Sequence, residues 1–299
     1  MTMKTTSTLL ARIAVLAVVA VSAAWAGPRL IKDLPYVAEG DPAQRLDIGV
    51  PDGEGPFPVV VLVHGGGWGS GDKAGAERPN SGADITPWFQ PLTDAGIAWV
   101  SINYRLAPAH RWPAQLEDTR AAVAWVRAHI AEHGGDPARL ALMGHSAGGH
   151  LALMAAMPEA GATAPVDAVV GCAAVSDLVS DSTRRGEISK ALQNLFGFTP
   201  ELAPASLEAL AAASPLGRVG PGCPPVLFLH GDADKTVPLG QSHAFREKAL
   251  AAGLRCDLHV LPGAPHRLTE WVKHDPEWPR VLTDWLKARW ADKASLPKP

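Results

Sequence analysis

The stretch Leu140-Ala141-Leu142-Met143-Gly144-His145-Ser146-Ala147-Gly148-Gly149 decides how the rest of the chain is read. Leu140 to Gly144 is an apolar run of strand length, and Ala147 to Met157 is Ala-rich and helical in character. Between them sits Ser146, flanked by Gly144, Ala147 and Gly148. A strand that turns this abruptly into a helix leaves no room for large neighbours, which is the reason for the small residues. The helix that follows turns its amide end toward the serine and favours negative charge developing there. G-x-S-x-G alone describes many glycine-rich turns. Between a strand and a helix it describes a nucleophile elbow.

Working outward, strands and helices alternate. Val59 to Val63 is continuously apolar, as in a strand buried on both faces. Gln44 to Val50 alternates, with Leu46, Ile48 and Val50 on one face. Further strands are predicted over 98–104, 168–174, 226–230 and 257–261. Helices are predicted over 113–133, 147–157, 241–252 and 276–290. This alternation implies an α/β protein with a mostly parallel sheet and helices on both faces. One domain is expected over 27–299, with no repeat and no linker. The Ala-, Pro- and Ser-rich stretch 177–222 does not fit the alternation. It reads either as a cap or lid over a site or as an ordinary packed excursion.

Two further clusters sit at strand ends. His64-Gly65-Gly66-Gly67-Trp68 follows the run Val59 to Val63. Three glycines let backbone amides approach an oxyanion closely, so Gly66, Gly67 and Ala147 are candidate donors. His64 reads as an anchor of the loop, and Trp68 as a wall of the substrate pocket. A serine hydroxyl needs a histidine to take its proton, and the histidine needs a carboxylate to orient it. Asp232 and Asp234 both follow the strand that ends at His230, and His266 follows the strand that ends at Leu261. His259 lies within a strand, His243 within a helix, and His274 well past the loop, so His266 is the base expected.

Composition narrows the classes further. The chain has 299 residues, 47% of them hydrophobic, with a formal charge of −3. It is too apolar for disorder and lacks the basic footprint of a nucleic-acid binder. No G-x-G-x-x-G, Walker or H-E-x-x-H pattern is found, so neither nucleotide nor metal is expected. Residues 1–26 read as a secretory signal peptide: Lys4 and Arg12, the apolar stretch Ile13 to Val21, then Ala24-Trp25-Ala26. The 14 uncharged residues from Ile13 to Ala26 are short for a membrane span, which needs about 20. A periplasmic or secreted protein is expected, with no membrane span once the signal is removed. Export makes a disulfide conceivable. Cys223 and Cys256 precede adjacent predicted strands, so a Cys223–Cys256 bridge and a free, buried Cys172 are expected. Three buried thiols are the alternative.

The assembled motifs resemble the α/β-hydrolase superfamily, and within it the secreted bacterial esterases related to hormone-sensitive lipase and to acetylxylan and feruloyl esterases. The matching stretches run from His64 to Trp68 with Ser70 to Lys73, through Asn103 to Pro108, Gln115 to Trp125 and Gly144 to Ala152. They continue through Ser214-Pro215, His230 to Pro238 and Pro262 to His266. The resemblance implies an eight-stranded sheet and a cofactor-free serine carboxylesterase with the triad Ser146, Asp234 and His266. It favours Asp234 over Asp232 as the acid and makes Arg105 and Asp118 a structural ion pair. The substrate implied is a small-molecule or polysaccharide-linked ester of acetyl, feruloyl or another short acyl group. Two alternatives stand beside it: an arylformamidase-type amide hydrolase, and a non-catalytic binding module on the same fold.

Overall fold

The computed structural model describes residues 28–75, 82–158 and 164–294. The leader at 1–26 lies outside the described residues, as do residues 76–81 in the loop after the glycine run. Eight strands form one sheet: β1 (Arg29–Pro35), β2 (Arg45–Val50), β3 (Phe57–Val63), β4 (Ala98–Ile102), β5 (Gly135–His145), β6 (Ala168–Cys172), β7 (Val226–Gly231) and β8 (Cys256–Leu261). Their order is β1-β2-β4-β3-β5-β6-β7-β8. β2 is antiparallel to both of its neighbours, and every pair from β4 to β8 is parallel. The helices are α1 (Phe89–Asp94), α2 (Ala114–His129), α3 (Ala147–Ala156), α4 (Leu178–Arg185), α5 (Lys190–Phe196), α6 (Pro204–Ala212), α7 (Gly240–Ala251), the single turn α8 (Trp271–His274) and α9 (Trp278–Ala294).

The run Val59 to Val63 is the middle of β3. Val59, Val61 and Val63 belong to one core cluster, Val60 and Leu62 to the other, and all five are fully buried. A strand covered on both faces has no solvent side, so its sequence does not alternate. Leu116 of α2, Leu151 of α3 and Phe245 of α7 close the first cluster. Leu92 of α1 and Leu282 and Leu286 of α9 close the second.

Register sets the level of the site. Val63 lies opposite Gly144, His145 opposite Cys172, and Gly231 opposite Leu261. The carboxyl ends of β3, β5, β7 and β8 therefore share one edge of the sheet. The segments carrying the glycine run, Ser146, Asp234 and His266 all leave from that edge, the place where open α/β sheets bind ligands.

The stretch 177–222 holds α4, α5 and α6. Asp177 caps α4 by accepting the amides of Val179 and Ser180, each at 3.1 Å. Ile188, Leu192, Leu195 and Leu210 tie the stretch into the main core. The expected Cys223–Cys256 bridge is not formed, and all three cysteines are free. The register explains this: Cys256 faces Val226, while Cys223 sits in the preceding loop with its Sγ 3.6 Å from the Arg218 carbonyl. Burial pushes the Cys256 thiol up to about 12.

Candidate active site

Ser146 stands between β5 and α3 with φ 55° and ψ −118°. That backbone conformation is strained for a residue with a Cβ, and it is held by the surrounding packing. Its amide donates to the Cys172 carbonyl at 2.9 Å. A Cβ on Gly144 would collide with the Gly148 carbonyl, and one on Gly148 with the carbonyls of Val63 and His64. The glycines of the motif are therefore required by the packing of the turn itself.

His266 presents Nε2 to the Ser146 Oγ at 3.0 Å and Nδ1 to Asp234 Oδ2 at 2.7 Å. Asp234 is buried. Its Oδ1 accepts the amides of Thr236 at 2.8 Å and Val237 at 2.9 Å. Burial pushes the Asp234 carboxyl up, but hydrogen bonds from His230 and His266, the His266 charge and the Val237 amide outweigh it and hold the carboxyl below the usual carboxylate range. Asp232, the other acid of the loop, is exposed and accepts the Gly263 amide at 2.6 Å. It ties the acid loop to the His266 loop and does not reach His266. The structure thus brings Ser146, His266 and Asp234 into one hydrogen-bonded line and leaves Asp232 outside it.

The glycine run folds back over the elbow. Gly66 has φ 101° and Gly67 φ 58°, and Trp68, although not glycine, has φ 57°. The Gly66 carbonyl accepts the amides of Gly69 and Ser70. Among the described residues, no protein acceptor takes the amide hydrogens of Gly66 and Gly67. Ala147 is the first residue of α3, so its amide has no partner within the helix. Gly67, Trp68, Ser146 and Ala147 line one cavity, of about 110 Å³, whereas Gly66 is not part of its wall. The Trp68 indole N–H donates to His150 Nδ1 at 3.3 Å, and His150 Nε2–H donates to the Ala213 carbonyl at 2.7 Å. The ring of Trp68 is thereby fixed as a wall. His64 stacks on Tyr104 at 4.4 Å, as an anchor of the loop would.

Helices α4 and α5 supply the opposite wall through Leu178, Asp181, Arg185, Ala191 and Leu192. Arg105 and Asp118 form the expected ion pair, with Nη2 2.7 Å from Oδ1 and Asp118 almost wholly buried. Among the described residues no group of three or more His, Cys, Asp or Glu side chains is placed to hold a metal ion.

Reading the sequence left out two histidines. His145 is fully buried and donates from Nε2 to the His266 carbonyl at 2.9 Å. Burial, and after it the neighbouring His266, pushes His145 down to about 3. His230 is also fully buried, with Nε2 3.4 Å from Asp234 Oδ2. His145 stood in view as the variable position of G-x-S-x-G, but its partner is 121 residues away.

The sheet order, the strand–serine–helix turn and the loops at one sheet edge define an α/β-hydrolase fold. Residues 46–249 match the BD-FAE family, and the chain belongs to it. It is 34% identical over 243 residues to esterase LipC of Mycobacterium tuberculosis, an alignment covering 76% of this chain and 57% of LipC. The chain thus spans little more than half of that relative. A truncated carbohydrate esterase from gut microbiota superposes with a TM-score of 0.73 at 25% identity, covering 87% of this chain and 96% of that one. An esterase of Thermogutta terrifontis with propionate bound superposes with a TM-score of 0.64 at 26% identity, covering 91% and 97%.

Proposed function

We propose that this chain hydrolyses carboxylic esters through an acyl-enzyme on Ser146. One observation carries the reading: the unbroken line from Ser146 Oγ to His266 Nε2 at 3.0 Å and from His266 Nδ1 to Asp234 Oδ2 at 2.7 Å. In this mechanism His266 takes the Ser146 proton as the oxygen attacks the ester carbonyl. The amides of Gly67 and Ala147, both on the cavity wall beside Ser146, receive the oxyanion, each donor contributing roughly 10²–10³ in rate. Asp234, kept ionised by its donors, holds Nδ1–H toward itself and stabilises the imidazolium. His266 then protonates the departing alcohol, and water, activated by the same ring, releases the acid.

The cavity beside Ser146 supports a short acyl group. Its volume of about 110 Å³ is well below the roughly 300–1,000 Å³ of pockets that take drug-sized ligands. Acetyl or propionyl fits a space of this size. The propionate-bound esterase neighbour points the same way. For the alcohol side, the carbohydrate esterase neighbour and the leader at 1–26 support an acetylated polysaccharide met outside the cytosol.

The test is a panel of p-nitrophenyl esters of rising chain length, acetylated xylan, methyl ferulate and N-formylkynurenine. Activity falling from acetate onward, with release of acetate from xylan, is expected. Ser146→Ala should abolish turnover and labelling by a fluorophosphonate. Full activity in that variant overturns the mechanism, and a preference for N-formylkynurenine overturns the ester assignment.

A further inference from the structure

We infer that His230 is a positioning residue for Asp234, and that Ser242 sets its orientation, so that the triad is the visible part of a five-residue chain. The inference rests on the triad proposed above and extends it into the core.

His230 is the penultimate residue of β7, and no part of it reaches solvent. Its Nε2 lies 2.9 Å from the Val237 carbonyl and 3.4 Å from Asp234 Oδ2. A carbonyl and a carboxylate only accept hydrogen bonds, so Nε2 carries the hydrogen; it donates to Val237 and turns the same positive edge toward the Asp234 carboxylate. In the neutral ring Nδ1 is then the acceptor. It lies 2.7 Å from Ser242 Oγ, on the buried face of α7, and takes the hydroxyl hydrogen. The Val237 carbonyl thus fixes which nitrogen of His230 is protonated, as Asp234 does for His266, and the Ser242 hydroxyl holds the ring in place by its other nitrogen.

This arrangement fixes the carboxylate in two directions. Oδ1 is held by the amides of Thr236 and Val237, and Oδ2 lies between two imidazole N–H groups, from His266 and His230. Val237 closes a ring: its amide donates to Asp234 while its carbonyl accepts from His230. Rotation of the carboxylate away from His266 would break all of these contacts together. Loss of the His230 N–H would leave the Val237 carbonyl without its ring partner, and Oδ2 without the polar edge that faces it opposite His266.

The test uses the full chain with p-nitrophenyl acetate. His230→Leu removes the N–H at similar size, His230→Gln restores an N–H near the Nε2 position, and Ser242→Ala removes the hydroxyl that holds the ring's orientation. Expected are a fall in kcat of roughly tenfold or more for H230L with KM unchanged, recovery of most of it in H230Q, and a smaller fall in S242A. The low-field proton resonance of the His266 Nδ1–H should shift in H230L and S242A and return in H230Q. A folded H230L with wild-type kcat and an unmoved resonance overturns the inference. If H230L does not fold, S242A decides, and wild-type kcat and resonance there overturn it. Failure of the triad reads differently, as hydrolysis that survives in Ser146→Ala.

Discussion

Gly148 packs against the carbonyls of Val63 and His64 so closely that no Cβ fits between them. The contact joins two motifs more than 80 residues apart in the chain, the serine elbow and the glycine run. Gly148→Ala therefore has to push the glycine loop away from Ser146. The obstacle is backbone, which cannot turn aside as a side chain can. We expect a loss of stability of about 1–3 kcal/mol in urea denaturation, with a fall in kcat/KM larger than that loss explains. Unchanged kcat/KM would show that the two motifs are not coupled.

The buried histidines predict an acid limit to stability. Burial pushes His145 down to about 3 and His150 down to about 4, from an ordinary 6.5. Both are neutral in the folded chain, while the unfolded chain protonates them below about 6.5. The stability they contribute is complete above that pH and is lost as pH falls from there, to about 4 for His150 and about 3 for His145. Two protons correspond to a slope of roughly 2.7 kcal/mol per pH unit near pH 5. His150→Gln should halve the slope, and urea midpoints between pH 4.5 and 7 measure it. Equal slopes in variant and wild type would contradict this account.

Leu192 is almost wholly buried and walls the cavity next to Ser146. Truncating it to Ala opens that wall toward α5. The ratio of kcat/KM for p-nitrophenyl hexanoate over acetate should rise about tenfold or more, because each methylene accommodated is worth ~1–3 kcal/mol. A stability cost of about 2–5 kcal/mol accompanies the cavity. A ratio that stays put would place the acyl chain elsewhere.

Asp118 takes the guanidinium of Arg105 and also accepts from Gln44 Nε2 at 2.6 Å. It makes no hydrogen bond to Ser146, His266 or Asp234. Asp118→Ala leaves a partly buried Arg105 without its main partner, at a cost of about 3–5 kcal/mol. The folded fraction should keep wild-type kcat. Reduced kcat at full folding would give the pair a part in the chemistry.

The sequence disclosed those features whose cause is local. β3 was legible because both of its faces are covered, and the elbow because its glycines answer to steric crowding within five residues. β1 was missed: it is the edge strand of the sheet, mostly exposed, and charged at Lys32 and Asp33. The six residues of α1 are too few to show a helical period. The choice between Asp232 and Asp234 depended on which carboxylate turns inward, and residue order does not encode that. The Cys223–Cys256 pairing failed on register, since adjacent strand starts are not the same as opposed residues. His145 and His230 act through partners that only the folded chain brings near.

The crossing from β6 to β7 carries α4 and α5 to one side of the cavity, yet it contributes none of the atoms proposed to exchange protons or bonds. One side of the cavity and the residues proposed to do the chemistry are thus encoded on separate lengths of polypeptide. A new roof grafted between Cys172 and Val226 would retune the choice of ester while the engine beneath it ran unchanged.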